Sequence, residues 1–101
     1  MLSPLRIIYL TEPGRGIQTG FAAGTRNFKK ATDRNRIKRL MRESFRLHKT
    51  ILHDEFELVR LYVFFVYAGN EVPNQEETNL KMKAALQKLQ KLINEKISLH
   101  S

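Results

Sequence analysis

The chain has 101 residues, no Cys, no Trp and 42% hydrophobic residues, a length and composition that fit one globular domain and leave no room for two. Eighteen Lys and Arg stand against ten Asp and Glu, a net charge of +8 that calls for an anionic partner, while the missing Cys excludes disulfides and thiolate metal sites. The longest apolar run, Leu61 to Ala68, falls far short of the roughly 20 residues of a membrane-spanning helix, and Met1 to Pro4 lacks the cationic and apolar segments of a signal peptide, so a cytoplasmic location is expected.

Leu5 to Leu10 is rich in β-branched and aromatic residues and is closed by Glu12-Pro13-Gly14-Arg15-Gly16, so it reads as a strand feeding a turn. Ile17 to Ala23 follows at hairpin distance, with Ile17, Thr19, Phe21 and Ala23 alternating with Gln18, Gly20 and Ala22. The nearly bare second face marks either an ordinary strand with small residues or the close approach of a helix or another backbone. Thr32 or Asp33 can cap a helix starting near Arg34, because a short side-chain oxygen accepts from unpaired N–H groups there. On that helix Ile37, Leu40, Met41, Ser44, Phe45, His48, Ile51 and Leu52 form a core-facing stripe roughly 140° wide.

Asp54 to Glu57 read as a connection. Leu61 to Ala68 is apolar at nearly every position, which predicts a central strand covered on both faces. Asn74 with Glu77 resembles a capping box after Pro73 and opens a second helix to about Ile97, with Met82, Leu86, Leu89, Ile93 and Ile97 on one side. The expected fold class is α+β, a small sheet packed against helices in the order β-β-α-β-α.

The excess charge is concentrated. Arg26 to Lys49 holds ten cations against Asp33 and Glu43, a local charge of +8, while the rest of the chain is balanced. Asn35, Lys38, Arg39, Arg42, Arg46 and Lys49 share an arc opposite the apolar stripe, so the helix is greasy on one side and cationic on the other. A solvated face usually mixes signs, and here only Glu43 interrupts seven cations from Arg34 to Lys49. A membrane-surface helix needs apolar residues free to enter lipid, whereas Ile37, Leu40 and Phe45 are committed to the core. Nucleic acid fits best. Arg outnumbers Lys five to two on this helix, and guanidinium groups match phosphate oxygens with paired hydrogen bonds. Glu43 is placed to orient Arg39 at i, i+4, or Arg36 two turns away, and Asn35 offers donor and acceptor to sugar or base, or caps the first turn. A DNA-binding module needs a tight helix-turn-helix, and the strand that follows argues against one.

The stretch Arg34-Asn35-Arg36-Ile37-Lys38-Arg39-Leu40-Met41-Arg42-Glu43-Ser44-Phe45-Arg46 resembles the signature helix of the protein component of bacterial ribonuclease P, with the pattern R-N-R-x-K-R-x-x-R-E followed by an Arg. The likeness runs through the preceding loop, Gly24 to Ala31, where Arg26 matches one basic position of the family and Asn27 replaces the other. It covers nearly the whole chain as one domain. Family members usually begin with a helix ahead of the first strand, and this chain starts almost at that strand, so no residue of that helix carries over.

The resemblance implies a left-handed β-α-β crossover containing the signature helix, although the general rule gives the opposite hand. It implies the protein subunit of an endonuclease that removes 5′ leaders from precursor tRNA. The RNA subunit is then the catalyst and holds magnesium ions, and this chain binds neither a cofactor nor a small-molecule substrate. Its partners would be the catalytic RNA and precursor tRNA, without a membrane. Carried over residue by residue, the RNA-binding set is Arg34, Asn35, Arg36, Lys38, Arg39, Arg42 and Arg46, with Arg26, Lys29 and Lys30 as auxiliaries in the loop. The leader cleft is expected between the signature helix and the open face of the sheet, with Tyr9, Phe21 and Phe28 as candidates to stack on bases. A general RNA-binding or ribosomal protein is the alternative.

No catalytic constellation accompanies these residues. His48 and His53 are five apart, wrong for two ligands on one helical face, and His48 lies on the apolar stripe. Gly-rich phosphate loops and nucleophile elbows are missing from the sequence as well.

Overall fold

A computed structural model describes residues 5–52 and 59–100. Strand β1 (Leu5–Pro13) and strand β2 (Gly16–Ala23) precede helix α1 (Ala31–His48), which tightens into one 3-10 turn, Lys49–Ile51. Strand β3 (Val59–Tyr67) and the long helix α2 (Gln75–His100) follow, so the order is the expected β-β-α-β-α in an α+β fold. The acidic connection 54–57 and His53 lie outside the described residues.

The strands do not pair in sequence order. The sheet runs β1-β3-β2, with β1 antiparallel to β3 from Leu5↔Tyr67 to Pro13↔Val59, and β2 parallel to β3 from Gly16↔Arg60 to Ala23↔Tyr67. Consecutive strands at hairpin distance are therefore separated by β3, the most apolar of the three, which occupies the one position where both backbone edges are paired. Two strands flanking a third stand about 10 Å apart, and the three peptide units from Pro13 to Gly16 reach at most about 11 Å. The link is almost fully stretched. Gly14 with φ +143° and Gly16 with φ +103° supply backbone conformations that side chains disfavour, and Arg60 Nε, beneath the link, donates to the Arg15 carbonyl at 3.4 Å.

Both helices lie on one face of the sheet, α1 toward β2 and α2 toward β1. That face carries Leu61, Val63, Phe65 and Tyr67 of β3, all buried. Ile37 and Met41 of α1 and Met82, Leu86, Leu89 and Ile93 of α2 close the core over them. The alternate residues of β3 face the other way, and there the expectation of a strand covered on both faces fails: Phe64 is 44% exposed, and Tyr62 and Val66 are half-buried. Ile8 and Leu10 of β1 join them in the open. With two helices in a single layer, one side of the sheet stays uncovered however apolar its strands. Gly20 sits on this side beneath the ring of Phe64, where an added Cβ would lie 2.5 Å from ring carbons. A neighbouring side chain, rather than a helix or a backbone, explains that small residue.

Helix α1 begins three residues earlier than its capping residues indicated. Lys30 is the N-cap and makes no side-chain cap bond; its carbonyl accepts from the amides of Asp33 and Arg34. Thr32 and Asp33 are inside the first turn, where the Asp33 carboxylate favours the positive end of the helix dipole instead of capping it. In α2 the Asn74 side chain does cap, accepting from the Glu77 amide at 2.7 Å. The helices meet through a buried polar contact. Ser44 Oγ donates to Asn79 Oδ1 at 2.6 Å, and Gln75 Nε2 donates to Ser44 Oγ and Asn79 Oδ1, both at 2.9 Å. Buried Ser44 is thus both donor and acceptor, which removes its desolvation cost and sets the register of the two helices.

Ile37 has no exposed surface and lies directly beneath the cationic face, so Ile37→Ala is expected to cost about 2–5 kcal/mol, measured by urea unfolding.

Candidate nucleic-acid interface

The periodicity that buries Ile37, Met41 and Ser44 directs the intervening residues outward. Asn35, Arg36, Arg39, Arg42 and Arg46 are exposed and Lys38 is half-buried. Thr32, Asn35, Arg36, Lys38, Arg39 and Arg42 line one shallow depression of about 430 Å³ on the solvent side of α1. From Arg36 to Arg46 this strip is about 15 Å long, at 1.5 Å per residue. It offers forked donors to several anionic groups at once.

The arginines are not equivalent. Arg42 lies with its guanidinium carbon 5.8 Å from the centre of the Phe21 ring, a cation–π contact that fixes its direction. Arg46 donates through Nε and Nη2 to the two carboxylate oxygens of Glu43. These hydrogen bonds, ahead of the charge attraction, hold the Glu43 carboxyl below its usual range and raise Arg46. The expected partners of Glu43, Arg39 and Arg36, are not the ones it takes: the i, i+3 fork to Arg46 wins. Arg34 turns away from the strip, and its Nη1 donates to the carbonyls of Phe28 at 2.7 Å and Lys29 at 2.9 Å. Asn35, a full turn inside the helix, does not cap it.

The preceding loop is held on three sides. The Phe28 amide donates to the Gly24 carbonyl at 3.1 Å, and Asn27 Nδ2 donates to the carbonyls of Ala68 at 3.2 Å and Gly69 at 3.1 Å. From this frame Arg26, Lys29 and Lys30 project into solvent. Asn27, which departs from the basic pattern of the resembling family, ties the loop to the end of β3.

The three aromatic candidates fall in three different places. Phe28 is 5% exposed and packs on Tyr67 with ring centres 6.0 Å apart, so it is core and has no free face. Phe21 stacks on Phe65 at 5.6 Å, meets Phe45 edge-on at 6.1 Å, and has Arg42 over its ring. Tyr9 is half-buried in a groove of about 520 Å³ between β1 and α2, whose walls include Arg6, Lys81 and Lys88. Phe21 and Phe28 lie away from the open face, Tyr9 packs against the core and only borders that face, and the sheet itself divides the face from α1, so the two do not form one cleft. The open face instead holds a depression of about 360 Å³ lined by Ile8, Leu10, Gln18, Gly20, Tyr62 and Phe64. Tyr62 is engaged there, donating to Glu12 Oε1 at 2.8 Å. Phe64 is the accessible ring that sequence reasoning missed. The bare position at Gly20 in the neighbouring strand was the available signal.

His48 is structural: its Nδ1–H donates to the Ser44 carbonyl at 2.9 Å, an acceptor that fixes the tautomer in this contact. Among the described residues no group of three or more His, Asp or Glu side chains gathers where a metal ion would sit, and no helix is long and apolar enough to cross a membrane.

A family model described as Ribonuclease P matches residues 2–95. Two curated relatives named "Ribonuclease P protein component", from two strains of Porphyromonas gingivalis, are each 31% identical over 88 residues. Each alignment covers 82% of this chain, and the chain spans 64% of the relatives' length. No solved structure matches significantly.

Glu43→Gln removes the one acid from the cationic strip and releases Arg46, so the variant should elute from heparin at higher salt than the parent. Because the folded Glu43 pKa is lowered, the pair is complete above the ordinary carboxylate range and breaks as pH falls through that lowered value. A carboxyl-carbon NMR titration with a midpoint at or above the value of a free glutamate would contradict the pairing.

Proposed function

Because this chain belongs to the ribonuclease P protein family, we propose that it serves as the protein subunit of that RNA-containing endonuclease, gripping the catalytic RNA and the 5′ leader of precursor tRNA while the RNA subunit cuts. The observation that supports this most is the strip of exposed Asn35, Arg36, Arg39 and Arg42 with half-buried Lys38, on one side of a helix whose other side is locked into the core. Forked guanidinium groups on a rigid backbone bind phosphates without the helix first having to be ordered, and each phosphate neutralised releases condensed counterions. The fixed direction of Arg42 over Phe21 adds to this preorganisation.

The two surfaces divide the work. The α1 strip and the loop cations Arg26, Lys29 and Lys30 meet the folded RNA subunit, whose bound magnesium ions supply the activated water. The open face of the sheet takes the single-stranded leader, with a base stacked on Phe64 and the aliphatic side chains of Ile8 and Leu10 beside it. Separation by the thickness of the sheet lets one small chain touch enzyme RNA and substrate RNA together. No step of the bond cleavage is assigned to a side chain of this protein.

Combining the chain with a bacterial ribonuclease P RNA at low magnesium should raise precursor tRNA cleavage above that of RNA alone, and the complex should prefer precursor over mature tRNA. Stimulation without that preference identifies a general RNA-binding protein. Arg39→Ala and Arg42→Ala should each weaken binding to the RNA subunit and lower the slope of log affinity against log salt by about 0.7–0.9, with little change in unfolding midpoint. Phe64→Ala should leave that binding intact and reduce affinity for the leader by about 1–3 kcal/mol, read from the difference between precursor and mature tRNA.

A further inference from the structure

Arg34 opens the cationic sequence pattern, yet its guanidinium points back along the chain. Both hydrogens of Nη1 are taken by the Phe28 and Lys29 carbonyls, six and five residues earlier, and the side chain is half-buried. We propose that Arg34 is a positioning residue, which acts on RNA by holding the loop 24–30 in the shape that presents Arg26, Lys29 and Lys30 to phosphate. This inference rests on the reading of the chain as an RNA-binding subunit and assigns Arg34 a role different from that of its neighbours on α1.

The loop is otherwise a poor candidate for rigidity. It is seven residues long, contains a glycine, and carries three cations that repel one another. Its order comes from a small set of contacts that converge on Phe28. The ring is buried against Tyr67, the amide bonds to Gly24, the carbonyl bonds to Arg34, and the neighbouring Asn27 is tied to Ala68 and Gly69. Arg34 contributes the link that joins this frame to α1. Its charge makes both hydrogen bonds stronger than neutral ones, and it ties two adjacent loop carbonyls to α1. With those carbonyls tied to α1, the side chains of Lys29 and Lys30 are exposed, and neither is engaged by a hydrogen bond or ion pair among the described residues. The loop cations thereby act together with the α1 strip instead of wandering over a mobile segment. Ordering them in advance lowers the entropic cost of binding.

The test uses the full chain and two measurements, one without RNA. In the free protein, Arg34→Ala should raise the hydrogen-exchange rate of the Phe28 amide at least tenfold while the amides of β3 stay protected. Unchanged protection at Phe28 would overturn the proposal whether or not the chain binds RNA. For binding, the salt slope to ribonuclease P RNA is compared among the parent, Arg34→Ala, the triple variant Arg26→Ala/Lys29→Ala/Lys30→Ala, and the combination of all four. A positioning role predicts that Arg34→Ala alone lowers the slope by more than one contact's worth, about 0.7–0.9, and lowers it no further in the triple background. A direct phosphate contact predicts one contact's loss in either background, and a purely structural role predicts a lower unfolding midpoint with the slope unchanged; either result overturns the proposal. If the parent itself fails to bind the RNA while Arg34→Ala still exposes the Phe28 amide, the functional reading falls and the loop staple stands.

Discussion

The structure depends on how firmly one helix is held from below. Seven cations between Arg34 and Lys49 include six like-charge pairs at i, i+3 or i, i+4, each costing a few tenths of a kcal/mol and together about 1–3 kcal/mol. Burying Ile37 and Met41 beneath them contributes about 1.5–3 kcal/mol each, and Leu40 and Phe45 add partial burial. The apolar side therefore exceeds the repulsion without any counter-charge, and Glu43 neutralises only one end of the strip, at Arg46. A helix held in this way keeps Arg36 and Arg39 exposed at a fixed spacing along its solvent side. An exposed surface of this kind is screened over about 8 Å at physiological salt, so the field it presents is local and its contacts short in range.

The same economy explains why arginines adjacent in sequence do different things. Arg36 and Arg39 face solvent freely, Arg42 is aimed by an aromatic ring, Arg46 is neutralised by an acid one turn away, and Arg34 is occupied by backbone carbonyls. Outside the strip, Arg60 Nε supports the stretched link between β1 and β2, while its Nη1 stands 3.8 Å from the Glu12 carboxylate. Arginine is suited to all of these tasks because its planar group keeps its charge and presents donors in several directions. A motif of arginines is thus a mixture of solvent-facing and scaffold-building groups, and only the surroundings of each one tell which it is.

Much of the architecture was legible because it rests on local chemistry. The α1 stripe, the Asn74 cap of α2, the order of elements and the concentration of charge all follow from spacing along the chain, and each is present in the structure. The cap of α1 was misread because Thr32 and Asp33 are good capping residues that the fold places a few positions too late, after Lys30 has already begun the helix. The partner of Glu43 was not legible either: it pairs with Arg46 at i, i+3 and not with Arg39 at i, i+4, although a linear reading allows both.

By itself the sequence determined an α+β chain with one two-sided basic helix, and the family to which it belongs, since periodicity and motif spacing are properties of neighbouring residues. The tertiary structure alone decided that β3 enters between β1 and β2, that Phe64 faces outward while Phe28 is buried, and that Arg34 turns inward. The physical reason is that strand order and the number of covered sheet faces depend on how many layers the whole chain can supply. Both helices pack on the same side of the three strands, so the same kind of apolar residue is core on that side and solvent-exposed on the other.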